Sequence, residues 1–158
     1  MEAAGCLTHA IHGADARALP VLVHLEAQAD VPPEPTRRLA ALGGEDVANR
    51  LRLSKQEARR LSHLKDGIGS GAGAAELAYR HGSGTARDVV LLRSAMTGTA
   101  LPDGLEQAIS EGAAAQFPVK PRDLMPGLRG PELGEKLAEL ERRWIDSGFE
   151  LTRDALLS

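Results

Sequence analysis

Apolar residues recur along most of this chain at spacings of three and four, the period of a helix that buries one face. The clearest stripe lies near the C-terminus, where four apolar residues follow at intervals of four, three and four: Leu133, Leu137, Leu140 and Trp144. Charged residues fill most positions between them. With Pro131 at its start and Gly148 after its end, this pattern predicts a long amphipathic helix.

Helix-starting and helix-breaking residues divide the rest of the chain into shorter segments. Ser54 and Glu57 have the spacing of a capping box, which predicts the start of a helix there. Thr85 predicts another start, with Asp88 at the end of the first turn. Residues 117–121 (FPVKP) contain two prolines and predict an extended loop.

The composition favours helices throughout. The 158 residues include 25 alanines and 23 leucines, whereas aromatic residues make up only 3%. Alanine and leucine are strong helix formers, and the residues that favour strands are sparse. We therefore expect an all-α fold, an irregular bundle of about seven to nine short helices. Residues 1–115 are expected to form a helical body and residues 116–158 a tail, joined in one continuous fold.

The ends and the cysteine content bear on the compartment. Cys6 is the only cysteine, so no intramolecular disulfide can form, and we expect it to be a small buried apolar residue. Residues 1–12 lack the basic and apolar regions of a signal peptide, and no apolar stretch approaches about 18 residues. These features predict a cytoplasmic protein without a membrane span.

Positive charge is concentrated in two segments of a chain whose net charge is −3. Residues 50–65 carry six basic residues and a single acid, Glu57: the six are Arg50, Arg52, Lys55, Arg59, Arg60 and Lys65. Residues 117–131 carry three more, with a glycine at the expected helix start: Lys120, Arg122, Arg129 and Gly130. Such positive surfaces can neutralise phosphates, although the same pattern also occurs on solvated helix faces.

Residues able to carry out catalysis are few and scattered. His9 and His12 are three apart and could share a helical face, but two imidazoles without a third ligand indicate a metal site only weakly. His24, His63 and His81 are isolated in sequence. The glycine-rich run 69–73 lacks the lysine and serine or threonine of a phosphate loop. We therefore expect no catalytic residue, metal site or cofactor in this chain.

Two segments of the sequence resemble those of a known protein family. Residues 117–134 (FPVKPRDLM, then GLRGPELG), followed by the stripe to Trp144 and by TRDAL at 152–156, are similar to the C-terminal end of bacterial tRNA nucleotidyltransferases. These are CCA-adding enzymes of the poly(A) polymerase family. The two segments most resemble the sequences of the α-proteobacterial branch. Residues 50–57 (RLRLSKQE) resemble a motif in the middle of the C-terminal region of these enzymes. The resemblance therefore covers most of the chain from about Pro35 onward.

The resemblance implies a helical region that holds tRNA while an upstream head domain adds CCA to the 3′ end. That head uses Mg²⁺, ATP and CTP, and its paired Asp-x-Asp carboxylates do not occur in this sequence. We therefore expect the chain to be the RNA-binding part of a longer nucleotidyltransferase and to be catalytically inactive alone. Its expected partners are tRNA and its own upstream catalytic domain. The ten residues of the two basic segments are the candidate RNA-binding set.

The alternative is a helical interaction module that does not bind RNA. In that case the apolar stripe that begins at Leu133 would be the seam with another domain or with a second copy of the chain. Oligomerisation is possible on this reading, although no sequence feature specifically indicates it.

Overall fold

The computed structural model describes residues 6–125 and 127–158, apart from the side chains of Cys6 and Thr8. The expectation that Cys6 is buried thus lies outside the described residues. In chain order, the helices are α1 (Cys6–Ala10), α2 (Ala18–Gln28), α3 (Pro35–Leu42), α4 (Val47–Arg50), α5 (Lys55–Gly69), α6 (Ala74–His81), α7 (Ser83–Thr97), α8 (Leu105–Ala114), α9 (Pro121–Leu124), α10 (Gly130–Asp146) and α11 (Arg153–Leu157).

The all-α fold is confirmed for this part of the chain, which contains no strand and one isolated bridge between Ala14 and Gly43. Seven of the helices have eight residues or more, and the other four have four or five. None of the described helices is long and apolar enough to cross a membrane.

Helix α7 lies at the centre of the larger hydrophobic core. Four of its residues have no exposed surface: Ala86, Val89, Leu91 and Leu92. Because consecutive helical residues point in different directions, this burial means that α7 is covered on several sides. Helices α2, α3, α5, α6 and α8 all pack against it.

Glycine makes the contact between α6 and α8 unusually close. A Cβ atom added to Gly112 of α8 would lie 2.0 Å from the carbonyl oxygen of Ala75 in α6. No side chain fits at this distance, so the two backbones touch only because residue 112 is glycine. The crossing fixes α8 against α6, and the chain then leaves α8 as the extended segment that precedes α9.

The aromatic residues meet in a second, smaller core. Trp144 is 3% exposed, and its ring centroid lies 5.4 Å from that of Tyr79, 5.5 Å from Phe117 and 4.9 Å from Phe149. The Tyr79 hydroxyl also donates to Glu141 at 2.6 Å. Since Tyr79 belongs to α6 and the other aromatic residues follow residue 116, this core joins the C-terminal segment to the earlier helices.

Several local signals have the predicted outcome. Ser54 and Glu57 form a capping box, in which the Glu57 carboxylate accepts from the Ser54 backbone N–H at 2.8 Å. Residues 117–120 are non-helical, as expected, but Pro121, the last residue of the predicted loop, is the first residue of α9. Helix α10 begins at Gly130, one residue before Pro131, and Gly148 follows its end with φ +73°.

The expected helix start at Thr85 is wrong. Helix α7 begins two residues earlier, at Ser83, so that Thr85 lies inside it. Asp88 therefore lies beyond the first turn of α7, and it is 4% exposed. Tertiary ion pairs, described below, account for its burial.

Candidate nucleic-acid interface

The first basic segment, residues 50–65, spans the end of α4 and most of α5. Two of its cations are bonded to the backbone of other segments. The Arg50 guanidinium donates to the carbonyl oxygens of Ala10 at 3.0 Å and His9 at 3.1 Å. Lys65 Nζ donates to the carbonyl oxygen of Gly44 at 3.1 Å. Arg50 thus ties the end of α1 to α4, and Lys65 ties the turn between α3 and α4 to α5.

Arg60 is drawn into a cluster of charged residues between helices. Its guanidinium donates to one carboxylate oxygen of Asp88 in α7, and its Nε lies 3.5 Å from Glu34 at the start of α3. The Arg60 side chain is 37% exposed, so only part of it faces solvent. Arg60 therefore joins α5 to α7 and to the residue that precedes α3.

Arg37 is the centre of this cluster and is 2% exposed. Its guanidinium donates to Glu26 Oε1 at 2.7 Å and 2.9 Å, to Asp88 Oδ1 at 2.6 Å and to the carbonyl oxygen of Pro32 at 2.6 Å. The other oxygen of Glu26 accepts from Arg38 at 2.7 Å. The cluster thus connects α2, α3, α5 and α7, and each buried charge in it has an opposite partner.

The cluster also shifts the pKa values of Glu26 and Arg37. Burial opposes ionisation of Glu26, but the hydrogen bonds from Arg38 and Arg37 outweigh it and hold the pKa of Glu26 below its usual range. For Arg37, burial acts against the cation, while the bonds to Asp88 and Glu26 prevail and raise its pKa. Glu26 and Arg37 are therefore both ionised at neutral pH.

The three remaining cations of the first segment point into solvent. Arg52, Lys55 and Arg59 are exposed, and no hydrogen bond or ion pair engages their side chains in the described structure. Lys55 and Arg59 are one helical turn apart and so share a face of α5. The one acid of the segment, Glu57, is turned back to the cap at Ser54, whose hydroxyl and backbone bonds hold its pKa below the usual range.

The second basic segment, residues 117–131, surrounds the short helix α9. Lys120, Arg122 and Arg129 have exposed side chains without a hydrogen bond or ion pair in the described structure. The nearby acid, Asp123, is partnered elsewhere: it accepts from the guanidinium of Arg153 at 2.9 Å and from the Lys120 backbone N–H at 2.8 Å. These bonds hold the pKa of Asp123 below its usual range.

Gly130, the remaining residue of the candidate set, is the first residue of α10. It has φ +58° and is exposed, and a Cβ atom built on it would meet nothing within 4 Å. The position needs glycine for its backbone conformation, since other residues rarely adopt this φ.

Cations without a partner are concentrated in the two predicted segments. The chain has 19 lysines and arginines. Within the described residues, seven of them have neither a hydrogen bond nor an ion pair from the side chain: Arg52, Lys55, Arg59, Lys120, Arg122, Arg129 and Arg143. Six of the seven belong to the segments that the sequence singled out. The other cations are mostly bound to carboxylates or backbone carbonyls of the protein itself.

Two histidines that are isolated in sequence come together in space. The ring centroids of His63 in α5 and His81 at the end of α6 are 6.2 Å apart, and both side chains are exposed. His9, His12 and His24 are also exposed. No group of three or more histidine, cysteine or acidic residues that could hold a metal ion occurs in the part of the chain that the structure describes.

Sequence reasoning missed the charged cluster around Arg37. The partners lie far apart in the chain, 51 residues in the case of Arg37 and Asp88, and no local spacing relates them. The comparisons add no family: no protein-family profile, curated protein or solved structure matches this chain.

Proposed function

We propose that this chain binds structured RNA, tRNA in particular, through the unpaired cations of its two basic segments. The observation that carries the proposal is the concentration of unpartnered cations at these segments. A cation that is already paired within the protein has less to gain from a phosphate, whereas an exposed and unpaired one can release counterions on binding. The choice of tRNA as ligand rests on the sequence resemblance.

The proposal narrows the candidate set to six cations and Gly130. Arg50, Arg60 and Lys65 bind other parts of the protein, and we assign them to structure. The four aromatic side chains, Tyr79, Phe117, Trp144 and Phe149, pack against one another in the second core. Contacts would therefore be made to phosphates and to the shape of the RNA, and not by stacking on its bases.

On this proposal, CCA addition would be the task of an upstream catalytic domain, to which Mg²⁺ and the nucleotides would bind. A tRNA-binding role also implies a cytoplasmic location. That the two segments act on one RNA molecule is part of the proposal.

The alternative, an interaction module with the apolar stripe of α10 as its seam, finds less support. Leu140 and Trp144 are 1% and 3% exposed, because residues of the second core cover them. These two residues of the stripe are thus used inside the chain, whereas Leu133 and Leu137 are half-buried.

Fluorescence titration with full-length tRNA over a series of salt concentrations tests the proposal. For a duplex, the logarithm of the binding constant falls with the logarithm of salt by about 0.9 per neutralised phosphate, so six contacts predict a slope of roughly −5. Changing Arg52, Lys55 and Arg59 together to glutamine should weaken the slope by about 3. The same result is expected for Lys120, Arg122 and Arg129.

The matched control removes three paired cations, Arg87, Lys136 and Arg142, whose partners are Glu106, Glu139 and Asp146. It changes the net charge by the same amount, but it should leave most of the slope intact. Absence of binding by the unmodified chain, salt-independent binding, or an equal loss in the control would each contradict the proposal.

A further inference from the structure

We propose that His63 and His81 form a binding site for a divalent transition-metal ion that links α5 to α6. The two imidazoles come from different helices, and their ring centroids are 6.2 Å apart with the ring planes 33° from parallel. Both side chains are exposed, so an ion could reach them without passing through the core. Imidazole nitrogen is a preferred ligand of Cu²⁺, Ni²⁺ and Zn²⁺.

The separation of the rings suits one shared ion. A bound zinc lies about 2.0–2.1 Å from its imidazole nitrogen, which places it about 3.2 Å from the ring centroid. Two imidazoles on one ion then have centroids roughly 5 Å apart at the tetrahedral angle and about 6.4 Å apart on opposite sides of the ion. The observed 6.2 Å is close to the upper end of this range, and rotation of the exposed side chains can bring the rings to the shorter separation that tetrahedral zinc needs.

The helices that carry the two histidines are held in place without a metal. The turn between α5 and α6 is fixed by Arg93 of α7, whose guanidinium donates to the carbonyl oxygens of Gly67 and Ala72, each at 2.6 Å. Because these bonds hold the end of α5 and the turn that leads into α6, less backbone freedom remains to be lost on metal binding. Water would complete the coordination, since the protein supplies two ligands.

This arrangement differs from that of His9 and His12, the pair suggested by sequence spacing. Those two lie on one short stretch of chain around α1, and no ring contact joins them. An ion on His63 and His81 would cross-link two helices, and would therefore stabilise the folded chain over the unfolded one. His9 and His12 provide a matched control for histidine content.

The test is thermal unfolding of the untagged full chain in increasing concentrations of ZnCl₂, with MgCl₂ as the comparison ion. We expect the Tm to rise with zinc and to keep rising with the logarithm of its concentration above saturation, because only the folded state holds both ligands. Magnesium should have no effect, since it prefers oxygen ligands. The His63→Asn/His81→Asn variant should lose the rise, and His9→Asn/His12→Asn should keep it.

A second measurement identifies the ligands directly. The electron paramagnetic resonance spectrum of the chain with one equivalent of Cu²⁺ should show coupling to two imidazole nitrogens, and the coupling should be absent in the His63→Asn/His81→Asn variant. No rise in Tm with zinc, an equal rise in that variant, or a rise abolished in the control variant would overturn the proposal. Both exposed positions tolerate substitution, so each variant should fold. The experiment contains no RNA and is independent of the proposed function.

Discussion

Replacing Arg37 by methionine should be among the most damaging single changes in this chain. The guanidinium is 2% exposed and donates to Glu26, to Asp88 and to the carbonyl oxygen of Pro32. Removing one member of a buried ion pair typically costs 3–5 kcal/mol, because the other charge is left without its partner. Methionine keeps much of the volume, so the change isolates the loss of the charge.

The structure places the expected cost at the lower end of that range. Without Arg37, Glu26 still accepts from Arg38, and Asp88 still accepts from Arg60. Each carboxylate therefore keeps one partner, and we expect a loss of about 3 kcal/mol in the free energy of unfolding. With a urea m-value of about 1–3 kcal/mol per molar, the midpoint should fall by roughly 1–3 M.

Urea unfolding followed by far-UV circular dichroism and by Trp144 fluorescence measures this change. Arg60→Met is the control: Arg60 shares Asp88 with Arg37, but its side chain is 37% exposed, so its loss should cost only about 1 kcal/mol. A cost below about 1 kcal/mol for Arg37→Met, or equal costs for both variants, would refute the reasoning.

Two further predictions concern packing and pH. Gly112→Ala should destabilise the fold by about 1–3 kcal/mol in urea unfolding, because its Cβ would meet the backbone of Ala75. The control, Gly134→Ala, has open space on α10 and should be neutral or slightly stabilising. Equal effects of the two changes would contradict this prediction. Because the pKa of Glu26 is lower in the folded state than in the unfolded chain, ionised Glu26 stabilises the fold above about pH 4.5. That contribution should disappear as the pH falls through the folded-state pKa. The Glu26→Gln variant should therefore be less stable than the unmodified chain at pH 7 and should lose less stability as the pH falls. An identical loss of the free energy of unfolding in acid for both proteins, measured by urea titration, would count against this prediction.

The helices could be predicted because their signals are local. The capping box at Ser54 and Glu57, the apolar period of α10 and the prolines of residues 117–121 each act within a few residues of where they stand. The predicted start of α7 is wrong because it also relied on a local signal alone. Its sequence offered a polar residue at Thr85, but packing of α7 in the larger core extends the helix to Ser83 and buries Asp88.

The candidate site could be predicted only as a set of residues with positive charge. Their division into structural and free cations depends on partners far along the chain, such as Asp88 for Arg60 and the carbonyl oxygens of His9 and Ala10 for Arg50. Sequence spacing carries no information on such contacts. The approach of His63 to His81 was likewise not predictable, because it follows from how α5 and α6 pack.

The arginines of this chain show why the charge of a segment is an incomplete guide to binding. Residues 50–65 have six cations and one acid, yet three of the cations bind the protein's own carboxylates or carbonyls. A cation that is already bonded within the protein gains less from a phosphate, and its removal also costs the contact that it makes in the fold. Variants of Arg60 and of Arg59 therefore separate two effects that adjacent positions would otherwise confuse. Arg60→Gln should lower the free energy of unfolding and leave the salt dependence of RNA binding nearly unchanged. Arg59→Gln should leave the free energy of unfolding nearly unchanged and weaken the salt dependence. If both lowered RNA affinity in proportion to their loss of stability, the basic segment would be structural throughout.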